Sequence, residues 1–305
     1  MRLAKKKKKK VDLNRLLNLC SATERDAYLV NKRSGGASFQ KGATYENRFA
    51  IWKLAEQILN YLEHNIDTMI ESQKANFFVD DLVIENLSAR TFDCFQLKNR
   101  KRLEWGDGTK GTLVFDCFWQ SRHLESSTVT VVSSSEHIVK KLIKKHPSLL
   151  GPKVSAQYFP KDRIADLLDF SPFKTALDQL ANVDSPPRNV LEQTANILLA
   201  AWHEAEGNCK VSTLASKVSI SKGNSLRAKG TSQQAESQLR PETKVILDKI
   251  PNLTYKISRG YFHYSYGYDS ATFPSDCFSP QFLDLQDWIE HNQPKHYLDA
   301  LARAL

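Results

Sequence analysis

Asp81-Leu82-Val83-Ile84 and, after a turn-like stretch, Phe95-Gln96-Leu97-Lys98 decide how this chain is read. The first segment is an acid heading an apolar run, and the second carries Gln-x-Lys inside another. Successive side chains of a strand alternate faces, so Gln96 and Lys98 point the same way, roughly 7 Å apart, while Phe95 and Leu97 face the opposite side. If the two runs pair as a hairpin, Asp81 stands across from Gln96 and Lys98. A carboxylate and an amide oxygen are hard ligands of the kind Mg²⁺ or Mn²⁺ accepts. The ammonium beside them could meet a phosphate or orient an attacking water. Of the two neighbouring aspartates, Asp81 is the expected ligand, because with Val83 on its face Asp80 points away.

Upstream, Ser34-Gly35-Gly36-Ala37 is a flexible entry to a long amphipathic helix, predicted from Tyr45, Phe49, Trp52, Leu54, Ala55, Ile58, Leu59 and Leu62 at helical spacing. Glu46 falls in its first turns, where the helix dipole favours a carboxylate and the side chain could look toward a neighbouring sheet. Downstream the pattern predicts strands over Phe77–Glu85, Thr91–Lys98 and Ser127–Ser133. A helix over Leu113–His123 follows the Gly-rich loop Gly106–Gly111, and another over Ile138–His146 follows Ser135-Glu136-His137. Helix, strand, strand, helix, strand, helix is an α/β order with helices covering a mixed sheet.

Residues 162–183 read as short helices broken at Ser171-Pro172, and Asp184-Ser185-Pro186-Pro187 as a linker. Helices over Val190–Ala205, Ser212–Val218 and Pro241–Ile250 then precede a hairpin, Leu253–Ile257 and Tyr261–Tyr268, turned by Ser258-Arg259-Gly260. Three helices and a hairpin are the order of a winged helix-turn-helix. The polar stretch Ser219–Gln238 is long for the tight turn of that motif. The expected organisation is a basic arm over 1–33, an α/β domain over 34–160, a helical connector over 161–188 and a winged-helix-like α+β module with a C-terminal helix over 189–305.

The formal net charge of +9 favours a polyanionic partner. Without the six lysines of Lys5–Lys10 it falls to +3, so the body is only mildly basic. Such a run cannot pack and is expected as a solvated arm able to grip nucleic acid through counterion release. Asn99-Arg100-Lys101-Arg102 adjoins the Gln-x-Lys segment, where Arg100, Lys101 and Arg102 could clamp a DNA backbone. Lys256 and Arg259 near the hairpin tip are the corresponding candidates in the C-terminal module. The five cysteines form no Cys-x-x-Cys pair, and neither His-Glu-x-x-His nor a Gly-Lys-Ser/Thr phosphate loop occurs. Zinc-ribbon, disulfide-scaffold, zinc-hydrolase and P-loop readings therefore lose their main support. With no run of 18 apolar residues and no signal-peptide core, a cytoplasmic location without membrane contact is expected.

On Gly35-Gly36 to Leu59, Asp80-Asp81-Leu82 and Phe95-Gln96-Leu97-Lys98, the chain resembles the PD-(D/E)xK restriction-endonuclease-like superfamily. More closely, it resembles the double-stranded DNA endonuclease domain of bacterial anti-phage systems such as CBASS. The resemblance covers roughly residues 34–150. It implies a restriction-endonuclease-like mixed sheet flanked by helices, Mg²⁺ chemistry and hydrolysis of DNA phosphodiesters. Asp81 would be the metal-binding acid, Gln96 would stand for the usual Glu of the Glu-x-Lys half-motif, Lys98 would be the catalytic lysine, and Glu46 the supporting acid. Val79-Asp80 stands where the pattern has Pro before the acid. The implied partners are double-stranded DNA and a sensor or activating protein, with self-assembly left open. The competing expectation is a winged-helix DNA-binding regulator whose nuclease fold is degenerate.

Overall fold

A computed structural model describes residues 24–29, 40–221, 226–230 and 232–296 of the chain. The lysine run, the Ser34–Ala37 entry, Cys20 and part of the 219–238 stretch lie outside the described residues. Two compact units emerge, and neither is continuous in sequence. The first combines the described residues up to Ala50 with Thr68–Arg163 and Ala205–Cys209; the second combines Ile51–Asp67, Ile164–Glu204 and the described residues from Lys210. The expected boundaries at 160 and 188 follow the linker, whereas the compact units interleave.

Helix α1 spans Gln40–His64. Every apolar residue that predicted it, from Tyr45 to Leu62, is buried. Because the helix starts at Gln40, Glu46 lies beyond its first turn, which holds no acid, so the dipole argument for Glu46 does not apply. Strands β1 (Thr68–Glu71), β2 (Leu82–Asn86), β3 (Thr91–Lys98), β4 (Ser127–Ser133), β5 (Val154–Tyr158) and β6 (Asn208–Lys210) form one sheet in the order β5-β4-β3-β2-β1-β6. β1, β2 and β3 pair antiparallel, then β3, β4 and β5 run parallel, so the sheet is mixed as expected. Helix α2 (Leu113–His123) and helix α3 (Glu136–Lys144) join the parallel strands.

The strand alternation sorts the core. Val83, Cys94 and Val129 pair across β2, β3 and β4 and pack with Phe115, Phe118 and Leu142 of the two helices. Phe95 turns to the other face, where its ring lies 5.2 Å from that of Phe49 in α1. The run expected as a strand from Phe77 begins pairing only at Leu82. Instead of a ladder, the amides of Phe78 and Val79 donate to Gln120 Oε1 of α2, at 2.8 and 3.2 Å.

In the second unit, α4 (Ile164–Leu167) and α5 (Ser171–Leu180) are the expected short helices, with Pro172 in the first turn of α5. They precede α6 (Arg188–Glu204), α7 (Val211–Ser221), a one-turn α8 (Ser232–Glu236) and α9 (Pro241–Leu247). The expected hairpin is present as β7 (Leu253–Ser258) and β8 (Tyr261–Tyr266). It is joined by a third antiparallel strand, β9 (Asp269–Asp276), and followed by α10 (Pro280–Asn292). Phe262, Tyr264 and Phe273 pack against Phe282, Leu285 and Ile289 of α10. No helix among the described residues is long and apolar enough to cross a membrane.

Candidate active site

β2 and β3 pair in the register Leu82 opposite Phe95, which brings Asp81, one residue before β2, to the last residues of β3. There Asp81 Oδ2 accepts three hydrogen bonds: from the Gln96 side-chain amide, from the Leu97 backbone N–H at 2.7 Å and from Lys98 Nζ at 3.2 Å. A buried carboxylate is tolerated when donors of this kind replace its water. Gln96 is itself buried and turns its amide nitrogen to Asp81, since a carboxylate can only accept. The hairpin geometry that the sequence implied is thus present, with Gln96 and Lys98 each in contact with Asp81.

Glu46 of α1 lines the same cleft as these three residues. Its carboxyl is pushed up to about 7, first by burial and then by the nearby charge of Asp81, with Lys98 opposing and Asp80 adding. Gln73 Nε2 approaches it at 3.5 Å. Asp80, expected to point away, is also buried and also lines the cleft, because it lies two residues ahead of β2, where strict alternation does not yet hold. Asp116 of α2 lies there too and accepts a 2.7 Å hydrogen bond from the Tyr28 hydroxyl, whose pKa burial raises. Neither Asp116 nor Tyr28 was legible as a site residue: an acid in an apolar helix reads as part of a helix face, and Tyr28 precedes the helix-strand pattern altogether.

The cleft has a volume of about 930 Å³, and Arg100 and Arg102 line it where β3 runs into the loop before α2. Lys101 is exposed and does not line it. In that loop Gly106 has φ +87°, and a Cβ there would lie 2.6 Å from Thr112 Cβ, so the close turn requires glycine. In the second unit, Lys256 and Arg259 are already engaged: both reach Asp184 at 3.2 Å, and Arg259 also donates to the Gln179 carbonyl at 2.8 Å. The turn that carries Arg259 therefore directs it into the protein, not outward as a phosphate contact would require.

Among the described residues no three His, Cys, Asp or Glu side chains are grouped so as to hold a metal ion. The expected set is two carboxylates and an amide, Glu46, Asp81 and Gln96, and its donor chemistry suits a hard divalent cation. The upward shift of Glu46 is the signature of negative charge crowded into a poorly hydrated space, which a cation would offset. The described cysteines do not line the cleft: Cys94, Cys117, Cys209 and Cys277 are buried and not in disulfides. No family model matches this chain, and neither a curated protein nor a solved structure does.

Proposed function

We propose that this chain is a Mg²⁺- or Mn²⁺-dependent endonuclease that hydrolyses phosphodiester bonds of double-stranded DNA. On this reading it is a cytoplasmic effector of bacterial anti-phage defence, controlled by a sensor or activating protein. The observation that carries the proposal is the convergence of Asp81, Gln96 and Lys98 at the ends of β2 and β3, inside a cleft that Glu46 shares. Asp81 and Glu46 would hold the cation, with the Gln96 amide beside them. A divalent cation supplies neutralisation of phosphate charge and activation of a water. Lys98 brings an ammonium to the phosphate, and Arg100 and Arg102 offer charge-assisted contacts to flanking phosphates. The helix order α6, α7, α9 followed by a β-sheet supports a winged-helix-like role in duplex or partner binding for the second unit.

The test is plasmid nicking or linearisation with Mg²⁺ and with chelator. Asp81→Ala and Lys98→Ala are each expected to lower cleavage by roughly 10²-fold or more while the protein still melts cooperatively. Cleavage at the wild-type rate in both variants would sink the assignment. A second reading, a non-catalytic DNA-binding regulator, is favoured by the Gln at position 96, where the half-motif has Glu. Duplex binding without any metal-dependent cutting would decide for it.

A further inference from the structure

Helix α2 buries every residue from Leu113 to Gln120, and two of them, Asp116 and Gln120, are polar and one turn apart. Gln120 is fully buried, and its side-chain oxygen has two partners, the amides of Phe78 and Val79. Its nitrogen has none among the described residues, so the side chain serves there as an acceptor. Those amides belong to the segment that leads directly into Asp80 and Asp81 ahead of β2, where the Asp80 carbonyl also accepts from the Lys74 amide at 3.2 Å. Phe78 and Val79 are buried, so loss of the Gln120 oxygen would remove the two hydrogen bonds by which these N–H groups are held to α2.

We infer that Gln120 is a positioning residue for the nuclease site: through two backbone hydrogen bonds it fixes where the chain delivers Asp80 and Asp81 to the ends of β2 and β3. This rests on the proposed function for its catalytic consequence, but not for its structural content. Gln120 touches neither a phosphate nor a metal ligand directly, and acts by holding the backbone that carries them.

The experiment uses the full chain with Mn²⁺ as the probe. In the metal-free wild type the Phe78 and Val79 amides should exchange as slowly as those of β3. Gln120→Met, similar in length but without an acceptor, should lose that protection and bind Mn²⁺ at least tenfold more weakly by calorimetry, with KM for DNA little changed and kcat reduced. Gln120→Glu, which keeps an acceptor at the same reach, should stay within about threefold of wild type. Fast exchange in the wild type overturns the inference, as does a folded Gln120→Met protein with wild-type Mn²⁺ affinity. If Gln120→Met does not fold, Gln120→Glu decides: near-wild-type binding upholds the acceptor role and a tenfold loss overturns it. A wild-type chain that binds no Mn²⁺ overturns the nuclease reading, while exchange at Phe78 and Val79 still reports on Gln120 by itself.

Discussion

Three donors converge on a single oxygen of Asp81, and the one from Gln96 sets what a carboxylate at that position would do. Gln96→Glu would exchange an attractive amide-carboxylate contact for two carboxylates facing each other in a buried space. Without metal at neutral pH this should lower stability by roughly 1–3 kcal/mol, through the lost hydrogen bond and the repulsion. Mg²⁺, or acid sufficient to protonate one of the pair, should restore it, and cleavage in Mg²⁺ should persist. Thermal melts in chelator and in Mg²⁺ at two pH values check this. Equal melting temperatures for both proteins in chelator at neutral pH would mean that Gln96 does not contact Asp81 in solution. Asp81, Gln96 and Lys98 were legible because a strand repeats every two residues and a hairpin needs only neighbouring sequence. Asp80 was misread by the same rule, applied two residues before the point where the strand begins.

At the scale of elements, the loop between β3 and α2 is the part of the cleft wall that carries free-standing positive charge in sequence. Arg100→Ala and Arg102→Ala should each make the slope of log affinity for duplex DNA against log salt shallower by about 1, without altering sequence preference. Lys101→Ala should change it less, since Lys101 does not line the cleft. An unchanged slope in both arginine variants would remove this loop from the duplex interface. In the small sheet, His263 of β8 lies between Thr272 Oγ1 at 2.9 Å and the Ser258 carbonyl at 3.2 Å. Burial lowers its pKa below the usual 6.5, and Lys256 adds to the effect against Ser258 and Asp184. A depressed pKa gives stability that is present above pH 6.5 and lost as pH falls through the folded-state value. His263→Gln should flatten the decline in melting temperature on the acid side of 6.5, and a wild-type protein with no such decline would contradict the environment described for His263.

Some elements could be read directly from the sequence and others could not, for local reasons. β3, α2 and β4 have the bounds their patterns predicted, because each is a run rich in buried apolar residues set between polar flanks. β1 and β6 are four and three residues long, too short to show a period. β5 is mostly part-exposed at one end of the sheet, and β9, Asp269–Asp276, contains Pro274 and mixes acids with serines. These strands exist because a neighbour offers an edge, which is a property of the tertiary structure. The segment 77–79 failed in the opposite sense: it is apolar and buried like a strand, yet the amides of Phe78 and Val79 go to Gln120, a partner no local pattern announces.

For the molecule as a whole, the interleaved units alter what truncation should do. The Asp184–Pro187 linker suggests a cut, but a fragment of residues 30–183 would lack Ala205–Cys209 of the first unit. It would also strand Ile51–Asp67 and Ile164–Leu180 from the rest of the second. Leu54, Ile58, Leu59 and Leu62 are buried in the intact chain, and their exposure would leave a large apolar surface. The fragment is therefore expected to aggregate or to melt without a cooperative transition, whereas the full chain melts cooperatively. A monomeric fragment with a sharp transition would show that the first unit tolerates the loss of its late strand.

That late strand also bears on synthesis. β6 takes its place beside β1, although the ribosome makes most of the second unit's early helices between the two. Domains generally fold as they emerge, and long-range strand pairing is slow because chain closure must come first. A nascent chain arrested before residue 205 already contains Glu46, Asp81, Gln96 and Lys98, yet the sheet that carries Gln96 and Lys98 still has an open edge at β1. Completion of the first unit is thereby tied to translation of sequence far beyond Lys98, and the polypeptide reaches its finished sheet only after its second unit has begun to form.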